Sequence, residues 1–310
     1  MPAHVWCLMP SSLVIFQLVT AQISVPYDLL HTREDVVGSV VERTKETLQG
    51  FDRRELDING VKTVVYAAGS GAPLVYLHGA GTFPGFSFAQ RWTKNFQVFI
   101  PYHPGFGESA DDPLIDSIQD YVLHYLDLFD ALKISRLNLV GSSFGGWLAA
   151  ELAIIQQHRL NRLVLIAPSG LAVEDPPAVD LFTVPPASLP GYLVRDPAVL
   201  APFLPTGHDL QFLAQRYREI TAAARLTFEN PIGNRKLARW LHRVRTPTLL
   251  IWGEDDRIRP LAHAKVWQLL LANARLDTVG KVGHLVLEER PAVADVVAHF
   301  CAKSQAARRA

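Results

Sequence analysis

Apolar positions along this chain follow two periods. From Phe51 onward, short apolar runs of strand length are separated by stretches whose apolar residues fall three or four apart. Arg54 to Ile58 and Val61 to Ala67 flank Asn59-Gly60, a pair that accepts the positive φ angles of a tight hairpin turn. Pro73 to Leu77 and Gln97 to Pro101 are further short runs, and Phe86 to Trp92 between them fits a helix. Asp116 to Leu132 sets Ile118, Tyr121, Val122, Tyr125, Leu128 and Phe129 on one helical face. A strand ending at Val140, a helix from Trp147 to Ile155 and a strand from Arg162 to Ala167 follow. Late in the chain come the strand Thr248 to Trp252, the helix Leu261 to Leu271, the strand Arg275 to Val279 and the helix Pro291 to Ala302. Two antiparallel strands followed by strand–helix alternation predict an α/β protein, with a mainly parallel sheet and helices on both faces.

The alternation stops between Ser169 and about Arg243. Prolines 176, 177, 185, 186, 190, 197, 202 and 205 crowd this stretch, and a long helix is expected from Asp209 to about Phe228. So long a block is not a plain loop in a compact domain, and it reads as an inserted helical cap over residues 169–243. Its aromatics (Phe182, Tyr192, Phe203, Phe212, Tyr217 and Phe228) are expected mostly to pack a small core, with some facing the sheet. The main domain then comprises residues 34–168 and 244–310, led by a short helix from Glu34 to Leu48. Residues 1–33 form an N-terminal extension. Within it, Leu13 to Val19 is apolar and Val19-Thr20-Ala21 is a signal-like cleavage site, but no Lys or Arg precedes the run. An export signal, a disordered extension and translation from upstream of the true start are the three readings. The last two are favoured, so a cytoplasmic location is expected, with a secreted or periplasmic one as the alternative.

Composition narrows the partners. Of the 310 residues, 30 are Lys or Arg and 30 are Asp or Glu, so the formal net charge is zero. Nothing in that balance points to nucleic acid or an anionic membrane. The apolar N-terminal run is too short to span a bilayer. Two cysteines near opposite ends make neither a disulfide framework nor a zinc pattern, and no histidine pair has metal-ligand spacing. The oligomeric state is not encoded in any pattern found.

The stretch with the sharpest chemistry is Gly141-Ser142-Ser143-Phe144-Gly145, which lies between a strand and a helix. It matches G-x-S-x-G, the motif of a nucleophile held on a strained strand-to-helix turn. A serine hydroxyl needs a base, an acid to orient that base, and donors for the oxyanion. Functional groups of parallel sheets gather at the carboxyl ends of strands. After Thr248–Trp252 comes Gly253-Glu254-Asp255-Asp256, and after Arg275–Val279 comes Gly280-Lys281-Val282-Gly283-His284. The order Ser, Asp, His predicts Ser143 as nucleophile, His284 as general base and Asp256 as its orienting acid. Asp255 reads as a helix cap. His78-Gly79-Ala80-Gly81 ends another strand, and the N–H groups of Ala80 and Phe144 are the expected oxyanion donors, with His78 ordering the loop.

With the HGAG loop, HPGFGES, GSSFGG, WGEDDRIRP and VGHLVLEERP all present, the chain resembles the capped-lid branch of the α/β-hydrolase superfamily from about Phe51 to Phe300. The resemblance implies an eight-stranded sheet, the triad Ser143, Asp256 and His284, and no cofactor. In similar loops the acid is the third residue after the glycine, which favours Asp256 over Asp255. Relatives acting on epoxides or halides carry Asp at the elbow, where this chain has Ser143. Relatives that split carbon–carbon bonds of ring-cleavage products often carry Trp after the histidine and Asn before the serine, where this chain has Leu285 and Ser142. The leading expectation is therefore hydrolysis of carboxylic esters with small to medium acyl or aromatic groups. A carbon–carbon hydrolase, an acyl-transfer or perhydrolysis enzyme, and a non-catalytic receptor on the same fold are the alternatives. Arg195, Arg216, Arg225 and Arg257 could reach a substrate carboxylate, but read first as surface charge.

Overall fold

The computed structural model describes residues 46–205, 207, 209–228 and 233–306. The extension 1–33 and all but the end of the Glu34–Leu48 helix lie outside the described residues. The strands are β1 (Asp52–Ile58), β2 (Val61–Ala68), β3 (Ala72–Leu77), β4 (Phe96–Pro101), β5 (Leu137–Ser142), β6 (Leu160–Ile166), β7 (Thr248–Gly253) and β8 (Ala274–Val279). They form one sheet in the order β1-β2-β4-β3-β5-β6-β7-β8. β1–β2 and β2–β4 are antiparallel, and every later pairing is parallel. The turn between β1 and β2 has Asn59 at φ 54° and Gly60 at φ 85°, as that dipeptide favours.

The longer helices are α1 (Ile118–Ala131), α2 (Phe144–Gln156), α3 (Leu210–Thr227), α4 (Ala262–Leu270) and α5 (Val293–Ala306). A reciprocal hydrogen-bond pair starts α1: the Asp120 N–H donates to Ser117 Oγ, and the Ser117 N–H donates to Asp120 Oδ2. The segment expected as a helix at Phe86–Trp92 is instead a 3₁₀ helix, Ser87–Lys94. Eight residues of i→i+3 winding there set Phe88, Ala89 and Trp92 against the sheet, and the Trp92 indole N–H reaches the Ala294 carbonyl at 2.8 Å.

Side chains alternate between two cores, one on each face of the sheet. Leu250 and Trp252 of β7 pack with Tyr121, Leu128, Leu148 and Trp267 from α1, α2 and α4. Leu249 and Ile251 pack with Trp92 and with Val297 of α5. Both faces of the central strands are therefore apolar, the pattern of a sheet covered twice. Among the described residues no helix is long and apolar enough to cross a membrane.

The segment between β6 and β7 carries α3 and several short helical turns. α3 is fastened over the carboxyl end of the sheet by its buried Glu219. That carboxylate accepts the Thr82 and Gly107 N–H groups, both at 3.2 Å, and the Thr82 hydroxyl. One acid thus ties α3 to the loops after β3 and β4. The Gly-Pro-rich loop after β4 is itself anchored, because Glu108 accepts from Tyr66 Oη and Arg53 Nε, both at 2.6 Å.

At the end of β5 the chain enters α2 without a linker. A Cβ on Gly145 would stand 2.1 Å from the Leu77 carbonyl oxygen, and one on Gly141 would stand 2.3 Å from the Gly145 oxygen. Gly145→Ala is expected to destabilise by about 3 kcal/mol, because the nearest atoms are backbone and cannot step aside. That corresponds to a fall in thermal midpoint of roughly 6–12 °C. Gly191→Ala, where a Cβ meets open space, is the control and should move the midpoint by less than about 2 °C. Equal shifts in the two variants would contradict the packing.

Candidate active site

Ser143 sits at the strand-to-helix turn with φ 51° and ψ −113°, a backbone region that a side chain rarely occupies. Its N–H donates to the Ile166 carbonyl, and its own carbonyl accepts the N–H groups of Trp147 and Ser169. These bonds hold the strained residue between β6 and the first turn of α2. The Phe144 amide opens α2 and is one of the four N–H groups that no helix satisfies internally.

The three side chains expected from separate loops meet. His284 Nε2 is 2.8 Å from Ser143 Oγ, and His284 Nδ1 is 2.8 Å from Asp256 Oδ2. Asp256 Oδ1 accepts the backbone N–H groups of Ile258 and Arg259, each at 2.8 Å. Every polar contact of this carboxylate therefore fixes its orientation toward the imidazole. Asp256 and His284 are both buried, which strengthens their electrostatic coupling. Asp255 instead points outward and pairs with Arg195 at 2.6 Å.

The loop after β3 is built on two histidines whose rings touch, with centroids 3.7 Å apart and planes tilted by 42°. His78 Nδ1 donates to the Gly79 carbonyl at 2.7 Å, and His78 Nε2 accepts the His103 N–H at 3.1 Å. His103 Nε2 donates to the His78 carbonyl at 2.8 Å. These partners need His78 neutral with its proton on Nδ1, and need a proton on Nε2 of His103. Burial lowers His78 to about 4 and pushes His103 well below the usual range, with the neighbouring His78 adding to the effect. Ala80 follows directly in the loop, and Gly79 lies so close that a Cβ there would be 3.5 Å from Ser143 Cβ.

A cavity of about 190 Å³ opens above Ser143. Its walls include Ala80, Phe144 and Trp147 from the sheet side and Phe182, Leu189 and Ile220 from the segment over it. Of the aromatics in that segment, Phe182 faces the cavity. Phe212 packs with Phe83, Val194 and Leu200, and Tyr217 is largely exposed.

The arginines divide. Arg195 pairs with Asp255, Arg225 with Asp111, and Arg257 with the Gly191 carbonyl. Arg216 departs from the surface-charge expectation, because it is buried and lines the cavity. Its guanidinium lies over the Phe83 ring and 3.5 Å from Glu219, and its Nη1 has no hydrogen-bond acceptor. A Cβ on Gly81 would stand 2.6 Å from that nitrogen, so a larger residue there would make the guanidinium shift.

Three residues of the site were given no role from the sequence, although Arg259 and Glu288 lie within the WGEDDRIRP and VGHLVLEERP motifs. Ser169 Oγ is 3.2 Å from Ser143 Oγ, and its place after β6, next to β5, was the clue available. Glu288 and Arg259 also line the cavity. Burial raises the Glu288 carboxyl to about 7, partly offset by a bond from its own backbone and by His284.

The fold is that of an α/β hydrolase, and the relatives agree. An alpha/beta hydrolase family profile matches residues 74–296, and the chain belongs to that family. It is 28% identical over 255 residues to a 2-hydroxy-6-oxo-2,4-heptadienoate hydrolase of Pseudomonas putida, covering 74% of this chain and 89% of that one. It is also 28% identical to a 2-hydroxymuconate semialdehyde hydrolase of a Pseudomonas species, covering 82% of this chain and 95% of that one. Among solved structures, naproxen esterase from Bacillus subtilis superposes with a TM-score of 0.70 at 19% identity, covering 87% of this chain and 99% of that one. The likeness to that esterase is one of fold.

The buried histidines set an acid limit. His78 and His124 are lowered to about 4 and His103 is held well below its usual range, all chiefly by burial. An unfolded histidine binds its proton near pH 6.5, so folding is favoured above that pH and loses support as pH falls toward 4. Each ring contributes about 1.4 kcal/mol per pH unit in that window. Glu288, raised to about 7, opposes one of them, because its folded form holds a proton that the unfolded chain releases above about 4.5. The thermal midpoint is expected to fall from pH 6.5 to 4.5, and to fall more steeply in Glu288→Gln. A flat or rising midpoint would contradict these burials.

Proposed function

We propose that this protein hydrolyses a carbon–carbon bond beside a ketone in a substrate that also carries a carboxylate, with Ser143 as nucleophile, His284 as general base and Asp256 as its orienting acid. The observation that carries the reading is Arg216, a largely buried guanidinium on the cavity wall whose Nη1 is ion-paired with Glu219 at 3.5 Å but has no hydrogen-bond acceptor. A buried cation of this kind is a recognition element for a carboxylate. The relatives named above act on a 2-hydroxy-6-oxo-2,4-heptadienoate and a 2-hydroxymuconate semialdehyde. Such molecules hold a carboxylate and a carbonyl but no ester, so water can divide them only between carbons. These relatives reverse the order of preference that Leu285 and Ser142 suggested.

In this scheme His284 Nε2 takes the Ser143 proton as Oγ attacks the ketone carbon, and the N–H groups of Ala80 and Phe144 receive the oxyanion. Beforehand the 2-hydroxy group of the substrate becomes a 2-oxo group as its proton passes to the carbon beside the ketone. The bond from the attacked carbon to that neighbour then breaks, its electron pair moves to the 2-oxo oxygen, which takes the proton from His284, and an acyl group is left on Ser143. Water activated by His284 then releases the acid. Overall, OH ends on the acyl carbon and H on the departing carbon.

Ester hydrolysis by the same three residues is the second reading. Ser142 and Leu285 favour it, since Leu285 has no hydrogen-bonding group where Trp would stand and Ser142 has a hydroxyl in place of the amide of Asn.

Turnover of a 2-hydroxy-6-oxo-dienoate, followed by the loss of its visible absorbance, tests the choice. Saturable turnover is expected, with kcat/KM reduced by about 100-fold in Arg216→Gln, mainly through KM. Absence of turnover beside rapid hydrolysis of p-nitrophenyl acetate would overturn the carbon–carbon reading in favour of esters.

A further inference from the structure

The cavity holds a second guanidinium. Arg259 is 9% exposed, and its Nε and Nη1 have no hydrogen-bond acceptor. The triad does not need this charge. Asp256 already directs one oxygen to His284 and the other to two backbone N–H groups, one of them that of Arg259 itself. No hydrogen bond joins the Arg259 guanidinium to that carboxylate. His263, the neighbouring base, is taken up by the Pro176 carbonyl. Burial without a hydrogen-bonded anion lowers Arg259 to about 10, against the pull of Asp256. A buried cation left in this state is costly until an anion reaches it.

Its position relative to Arg216 follows from the sheet. Arg216 presses on Gly81, in the loop after β3, whereas Arg259 lies in the loop after β7. Ser143 ends β5, which stands between them in the strand order. The two loops are three strand spacings apart, about 14 Å before the side chains reach inward. The nucleophile thus lies between two cationic walls.

We propose that Arg259 forms a second anion subsite across Ser143 from Arg216, so that the cavity takes a substrate with a carboxylate or similar acceptor at each end. The proposal deepens the reading above and rests on it for the first carboxylate. Cleavage between the subsites leaves one of the substrate's acidic groups on each product, and the acyl product gains a second from the carbon that takes OH. A reaction that supplies such a substrate opens a ring already bearing an acidic substituent.

Calorimetric titration of the full chain with adipate and suberate, against hexanoate and octanoate, reads the subsite without turnover. The wild-type protein is expected to bind a dicarboxylate at least about tenfold more tightly than the monocarboxylate of the same length. Arg259→Gln should reduce that ratio to about one, and Arg259→Lys should keep most of it, which separates lost charge from lost folding. Equal binding of the two ligand types by the wild-type protein, or a ratio that survives Arg259→Gln, overturns the proposal. Dicarboxylate preference without cleavage of a dienoate would leave the subsite standing and remove the carbon–carbon reading. Cleavage without the preference would do the reverse.

Discussion

The structure depends on one sharp turn. Ser143 holds a positive φ because β5 must become α2 within a single residue. Glycine at 141 and 145 lets backbone press on backbone there, and the bonds to Ile166, Trp147 and Ser169 hold the turn in shape. The parallel pairing of β5 with β3 and β6 does the rest. It puts the loops after neighbouring strands at one edge, so a serine, a carboxylate and an imidazole far apart in sequence stand within bonding distance. Strain of this kind persists where the surroundings over-determine the residue, and here they do.

The segment over the sheet is attached by charge as much as by apolar contact. Glu219 ties α3 to the loops after β3 and β4. Glu289 accepts the Arg195 N–H at 2.9 Å and the Gly283 N–H at 2.5 Å, so the chain near Arg195 is fixed to the loop that carries His284. The acids that position this segment are thus satisfied by the protein itself. Arg216 and Arg259 also line the cavity, and each keeps buried guanidinium nitrogens without a hydrogen-bond acceptor, although Arg216 Nη1 lies 3.5 Å from Glu219.

Much of the fold was legible because it depends on local rules. Asn59-Gly60 marks a hairpin, the apolar face of Asp116–Leu132 marks α1, and the G-x-S-x-G turn marks the join of β5 and α2. Strand-end logic led to Asp256 and His284, since a parallel sheet gathers its loops. The same logic passed over Ser169, which also follows a strand, because a lone serine carries no motif. Arg216 was one of four arginines that could reach a carboxylate, with nothing to set it apart, and Arg259 was not singled out. Whether an arginine is solvated or buried depends on packing between segments distant in sequence. Arg195, Arg225 and Arg257 look the same on the page and find partners. The 3₁₀ winding of Ser87–Lys94 was missed because its apolar spacing also suits an α-helix.

The central claim is that the strained residue at the end of β5 carries the reactive hydroxyl, activated by His284. Mass spectrometry of the chain after a fluorophosphonate probe tests it most directly. The account predicts one adduct, mapped to Ser143 and lost in His284→Ala. An adduct on Ser142 or Ser169, or none at all, would contradict it.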